Sequence, residues 1–285
     1  MKHIIIFLFV ICAVLFRIES AAQKPGVDSI VLRDIEWDKT SPADMRELNI
    51  PSGASLLQGI IYTANGAQQH PTLFLLHGYP GNEKNLDLAQ VVRAHGWNVV
   101  YFDYRGSWAS QGEFSFLHCV EDVVNAVAYC KKKAASLKID TSRIVLFGHS
   151  MGGWITLKAL QHLPGIQKGF ALSAWNISNA VSNKQNLINS EKEADAYFVL
   201  NKKSGKDLFK PVADDPSFYN LTNDADALSS KQIIMLDEHT ENRSVAAAIK
   251  ASNKNYFKYE VWQTDHPFTN KRVALIKEVL AFLDK

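Results

Sequence analysis

From about residue 55 onward, short continuous apolar runs alternate with longer stretches of helical period. TLFLLHG (72–78) precedes NLDLAQVVRAHG, WNVVYFDYRG (97–106) precedes an amphipathic segment over 117–137, and RIVLFGHS (143–150) precedes MGGWITLKALQHL. Further on, GFALSA leads into an irregular region. QIIMLDE (232–238) then precedes RSVAAAIKASN, and YFKYEVWQTD (256–265) precedes TNKRVALIKEVLAFL. Strands that are apolar along their whole length, rather than at every second residue, are buried on both faces. When they alternate with helices, the expected result is a mostly parallel central sheet covered on both sides, an α/β fold. Two earlier strands, from Glu47 and through LLQGIIY, are expected to join across a turn at Pro51-Ser52-Gly53.

The stretch from about 177 to 230 interrupts this rhythm. It is polar, charged and weakly periodic, and a segment of that length within one domain is expected to be a cap or lid insertion over a site.

The N-terminus has a different character. MKHIIIFLFVICAVLFRIESAAQ has a basic start, an apolar run from Ile4 to Phe16, and small residues at Ser20, Ala21 and Ala22. The run is shorter than the ~20 residues that span a bilayer and falls in the signal-peptide range. We therefore expect residues 1–22 to be a signal peptide and 23–285 a single domain. The mature protein would be exported, periplasmic or secreted, with no stable membrane insertion after cleavage. Of three cysteines, Cys119 and Cys130 would remain; eleven residues apart on one helix they are too distant for a disulfide, so two buried thiols are expected.

Composition narrows the partners. With 47% hydrophobic and 21% charged residues and a net charge of +2, nothing suggests nucleic-acid binding. No H-x-H or H-E-x-x-H spacing occurs, so no catalytic zinc site is expected. A small-molecule acyl substrate fits better, for a reason that lies in Gly148-His149-Ser150-Met151-Gly152.

This G-x-S-x-G stands directly after a strand and directly before a helix. In that context the tight turn lifts a serine hydroxyl above the sheet edge and sets the next backbone N–H at a helix N-terminus. Ser150 is the expected nucleophile and the Met151 N–H one oxyanion donor, with Tyr79 N–H, in the loop FLLHGYPGN, as the second. His266, after the last strand, is the expected base; His239, one loop earlier, is its rival, and His77 is read as shaping the oxyanion loop. The acid is expected within MLDEHTENRS, at Glu241, with Asp237 as runner-up. Glu241 lies deeper in the loop, where a side chain can turn back to His266. Trp108, Phe114, Trp154 and Trp175 are candidates for an apolar acyl pocket.

The chain order Ser150, acid, His266, together with HGYPG, DYRG at 103–106, GHSMGG and DHPF, resembles the α/β-hydrolase fold superfamily from about Glu47 to the C-terminus. Within it, YFDYRGSWASQGEFSF and TDHPFTNKRVALIKEVLAFL resemble uncharacterised bacterial hydrolases near the serine aminopeptidase and dienelactone-hydrolase branches. The resemblance implies a Ser-His-acid hydrolase without cofactor, with Asp103 and Arg105 bracing a loop. The DEHTE loop departs from the pattern: it lacks the usual glycine and has Glu where Asp is usual. Ester hydrolysis is the leading expectation. An aminopeptidase of the same fold is the alternative, and a catalytically inactive hydrolase-fold binding protein the non-enzyme one.

Overall fold

The computed structural model describes residue 34 and residues 36–285. The expected signal peptide lies outside the described residues. Eight strands form one sheet: β1 (Asp44–Ser52), β2 (Ser55–Thr63), β3 (His70–Leu76), β4 (Asn98–Phe102), β5 (Ile139–His149), β6 (Lys168–Leu172), β7 (Gln232–Asp237) and β8 (Tyr256–Val261). Their order is β1-β2-β4-β3-β5-β6-β7-β8. β1 and β2 are antiparallel to their neighbours, and the pairings from β4 through to β8 are all parallel. The sequence pattern anticipates this split. β3 and β4 are buried at every residue, whereas β1 alternates exposed and buried positions from Leu48 onward.

Helices cover both faces. On one side lie α1 (Leu86–Ala94) and α8 (Arg272–Leu283), packed on Leu73, Val99, Val145, Phe170, Ile234 and Leu236. On the other lie α2 (Phe116–Lys132), the short α3 (Ala134–Leu137), α4 (Met151–His162) and α7 (Arg243–Ser252), packed on Phe74, Val100, Leu146, Ala171 and Met235. The two lists interleave because successive strand residues point to opposite faces. Cys119 and Cys130 are free and buried on α2, and burial pushes the Cys130 thiol up to about 12.

Between β6 and β7 the chain leaves the sheet and forms a cap. It comprises a 3₁₀ helix at Ile177–Val181, α5 (Lys184–Ala196), α6 (Gly205–Asp214) and a 3₁₀ helix at Leu221–Asp224. Buried Leu208, Phe209 and Val212 on α6 join the main core. The cap is tied to the loop after β4 by Trp108 N–H donating to Val199 O (2.8 Å), Asn201 N–H to Gly106 O (2.6 Å) and Phe114 N–H to Asn201 O (2.8 Å). Its far end is held by a buried ion pair between Lys158 on α4 and Asp224 (2.8 Å), with Trp154 stacked on Tyr219 at 5.7 Å.

Candidate active site

The elbow follows from the glycines around it. A Cβ on Gly148 would stand 1.9 Å from Gly152 O, and one on Gly152 would stand 2.1 Å from Leu76 O. β5 can therefore turn into α4 against the end of β3 only without side chains at these two places. Between them Ser150 takes φ 58°, ψ −119°, a conformation costly for an L-residue. It is locked by Ser150 N–H donating to Leu172 O (2.8 Å) and by Ser150 O accepting from Trp175 N–H (3.0 Å). Met151 is the first residue of α4, where a backbone N–H has no intrahelical acceptor. Tyr79 and Ser150 line one cavity; Ser150 and His266 line another.

The carboxylate on His266 is Glu238. His266 Nδ1 lies 2.6 Å from Glu238 Oε1, and the Ser173 hydroxyl donates to Glu238 Oε2. Burial alone would raise this carboxyl, but the bonds from His266 and Ser173 outweigh it and hold it at about 2. His239, the rival base, is 3.6 Å from the same Oε1.

Both expected acids are corrected. Glu241 is exposed, and its backbone N–H faces His239 Nδ1 at 3.4 Å. Asp237 is the last residue of β7 and fully buried, and it accepts from Asn242 Nδ2 at 3.3 Å. Burial pushes its carboxyl up to about 6. The reason is strand pleat. Ile233 and Met235 face the α4 side, as does Asp237 by parity; Ile234, Leu236 and therefore Glu238 face the other side, where Phe268, two residues after His266, is buried. β7 ends at Asp237, and the pleat at that end decides which carboxylate meets the histidine.

A second residue unread in the sequence is His149. Its ring lies 4.7 Å from that of His266, and its Nε2 is 3.0 Å from the His266 carbonyl oxygen. Asn85 Nδ2 approaches its Nδ1 at 3.4 Å, and Arg272 in turn donates to Asn85 Oδ1 (3.0 Å) and Pro267 O (3.0 Å). Burial, with the His266 ring beside it, keeps His149 at about 4, so it is neutral and donates from Nε2 to the carbonyl. His77 is buried with Nδ1 on Gly78 O (2.8 Å), and burial draws it down to about 4. Asp103 accepts from the Tyr101 hydroxyl (2.8 Å), while Arg105 binds Asp122 (2.5 Å) and Glu121 (2.6 Å). Of the four expected pocket aromatics, Trp175 alone lines the cavity with Ser150. Phe114 and Trp154 are core, and Trp108 is bonded to Pro80 O.

The sequence matches the family described as serine aminopeptidase, S33, over residues 67–237, more than half of the chain. The chain belongs to that family. Among curated proteins, this S33 member is 26% identical over 166 residues to the uncharacterized protein YfhR of Salmonella typhimurium, 56% of this chain and 54% of that one. It is 24% identical over 148 residues to Cutinase 1 of Thermobifida cellulosilytica, 49% of this chain and 53% of that one. The chain thus spans about half the length of these relatives. Among solved structures, a brefeldin A esterase, a bacterial homologue of human hormone sensitive lipase, superposes with a TM-score of 0.62 at 17% identity. The match covers 89% of this chain and 80% of that one, and establishes a shared α/β-hydrolase fold. Among the described residues of the S33 chain, no group of three or more His, Cys, Asp or Glu side chains is arranged to hold a metal ion, and no helix is long and apolar enough to cross a membrane.

Proposed function

We propose that the protein is an exported serine hydrolase that cleaves a carboxylic ester through an acyl-enzyme. The observation that carries this reading is the short bond from His266 Nδ1 to Glu238, beside a cavity shared by His266 and Ser150. A carboxylate on Nδ1 fixes the proton there and leaves Nε2 free to accept one. Ser150 Oγ attacks the ester carbonyl carbon while His266 Nε2 takes its proton. The Tyr79 and Met151 N–H groups hold the oxyanion. Collapse breaks the bond to the alcohol oxygen, which leaves with the proton from His266. Water, deprotonated by His266, then attacks the acyl-serine, and collapse of the second tetrahedral intermediate releases the acid and restores Ser150. Export rests on the basic, apolar and small-residue segments of positions 1–22.

A second reading, aminopeptidase action, is favoured by the family match and by Glu193, a carboxylate lining the cavity with Ser150 that could hold a free amine. The deciding experiment uses the chain from Gln23 and its Ser150→Ala variant, with a fluorophosphonate label, p-nitrophenyl esters and aminoacyl nitroanilides. Serine-dependent turnover of the esters supports the first reading, and of the anilides alone the second. No labelling of Ser150 would leave the inactive binding protein. Cell fractionation tests export separately: retention of the uncut chain in the cytoplasm refutes it.

A further inference from the structure

The cavity of ≈340 Å³ above Ser150 has an unusual wall. Helix α5 contributes Asn186, Asn189, Ser190 and Glu193 to it, spaced i, i+3, i+4 and i+7, which is one face of a helix. Such a stripe over an acyl site built for alkyl chains would be apolar. The apolar positions of α5 lie further round: Ala194 is buried, and Leu187 packs against the core. The helix therefore shows the core one stripe and the cavity a separate, fully polar one. Its place is fixed, because α6 starts so close that a Cβ on Gly205 would meet Glu191 O at 1.9 Å, and Gly205 N–H donates to Asp195 (2.5 Å).

The polar side chains lining the cavity keep hydrogen-bonding groups of mixed sense. Asn186 Nδ2 donates to Ser182 Oγ (2.8 Å), which leaves its Oδ1 as an acceptor. Asn189 Oδ1 accepts from Gln185 (2.8 Å), which leaves its Nδ2 as a donor. Glu193 Oε1 accepts from the Tyr197 hydroxyl (2.5 Å), which leaves Oε2. Opposite them stand the Trp175 ring and Tyr79, whose buried hydroxyl has no hydrogen-bond partner among the described residues. A carboxylate or ammonium ligand matches groups of one sense only; hydroxyls both donate and accept, and match this mixture.

The position of His266 decides which half of an ester lies here. The departing alcohol must sit where His266 can protonate it. His266 lines the separate, smaller cavity of ≈100 Å³ with Ser150 and is not among the residues lining the larger one. The larger cavity is thus left to the acyl group.

Resting on the ester-hydrolase reading, we infer that the α5 stripe is an acyl-binding site for a polyhydroxylated acyl group, such as a sugar acid, esterified to a small alcohol. Hydroxyls of the acyl group bond Asn186, Asn189, Ser190 and Glu193, and the Trp175 ring covers the C–H face.

The test compares methyl glucuronate with methyl hexanoate. Both have a six-carbon acyl group and yield methanol and a carboxylic acid, whose proton is followed by pH-stat titration. The expected kcat/KM favours glucuronate by about 25-fold, the worth of two hydrogen bonds at roughly fivefold each. Asn186→Leu/Asn189→Leu should reduce that ratio by about the same factor; Asn189→Ala alone should reduce it by about half as much on a logarithmic scale, and serves if the double variant fails to fold. Equal or greater activity on hexanoate overturns the inference. So does greater activity on 6-O-acetylglucose, which puts the hydroxyls in the alcohol, or on alanine methyl ester, which makes the site one for an amine. Calorimetry of Ser150→Ala with methyl glucuronate separates the two claims. Saturable binding that the Asn variants weaken, with no turnover of any ester by the parent chain, refutes the hydrolase reading and retains the site.

Discussion

Replacing Glu238 by Gln tests the site most sharply, because the variant is nearly isosteric. In the parent, Glu238 accepts the Nδ1 proton of His266 at 2.6 Å, shortened as charge-assisted bonds are, and its other oxygen accepts from Ser173. A glutamine can answer in two ways. With its oxygen toward Ser173, its NH₂ faces Nδ1, which must then accept; the imidazole proton moves to Nε2, and the base is lost. That state corresponds to a loss of ~10⁴, or about 5.5 kcal/mol of transition-state stabilisation. With its oxygen toward His266 the tautomer survives, but the imidazolium formed during turnover loses its counter-charge. A charge-assisted bond then becomes a neutral one, a difference of ~1.5 kcal/mol or about tenfold. The expected fall in kcat/KM therefore lies between roughly 10-fold and 10⁴-fold. It would be read with p-nitrophenyl acetate at pH 7.5 alongside a thermal melt showing that the variant is folded. Glu241→Gln, on the exposed part of the loop, should stay within about threefold of the parent. A loss in Glu241→Gln as large as that in Glu238→Gln would refute the assignment.

Three further outcomes are expected. Ser150→Gly should end both turnover and fluorophosphonate labelling yet raise stability by roughly 1 kcal/mol, since relief of the φ 58° strain outweighs the added chain entropy; a lower unfolding midpoint would contradict the strain argument. Asp237→Asn should stabilise the fold at pH 7.5 by on the order of 3 kcal/mol, because the buried carboxyl, raised from 3.8 to about 6, must ionise against its surroundings. In the parent, the native state keeps a proton that the unfolded chain releases, so stability falls as pH rises from about 4 to about 6. Urea midpoints at pH 4 and pH 7.5 should show the variant's advantage only at the higher pH, and an advantage that grew toward acid would reverse the sign. His149→Phe keeps a ring against His266 but removes the donor to its carbonyl. It should lower kcat by about tenfold, with His149→Gln recovering much of the loss; equal activity in all three would reduce His149 to packing.

What was legible in the sequence was whatever depends on local pattern. Continuous apolar runs mark doubly buried strands, and β3 to β7 stand where those runs fall. The elbow could be read because G-x-S-x-G needs only its own strand and helix. The carboxylate could not, because choosing between Asp237 and Glu238 requires knowing the face from which His266 arrives, and that is set by α8 packing across the sheet. One signal was present: the parity of Ile234 and Leu236 puts Glu238, not Glu241, in line with their face. The role of His149 depends on a contact 117 residues away in sequence, with nothing local to announce it. In the cap, α5 has an almost wholly polar sequence and reads as loop. α6, by contrast, carries Leu208, Phe209 and Val212 at helical spacing, a stripe that could have been recognised.

The end of β7 places two carboxylates side by side in the chain, one held near 2 and the other near 6, on opposite faces of a single strand. Between those pH values one residue of the pair carries charge and its neighbour does not, and only the pleat assigns which. A one-residue deletion within Gln232–Leu236 would draw Glu238 back into the closed pocket beside Asn242 and put His239 where Glu238 meets His266, leaving that histidine without its carboxylate. Length in this strand is therefore as strictly constrained as residue identity. A family of variants with insertions and deletions should tolerate change in the 239–241 turn and none within the six residues before it.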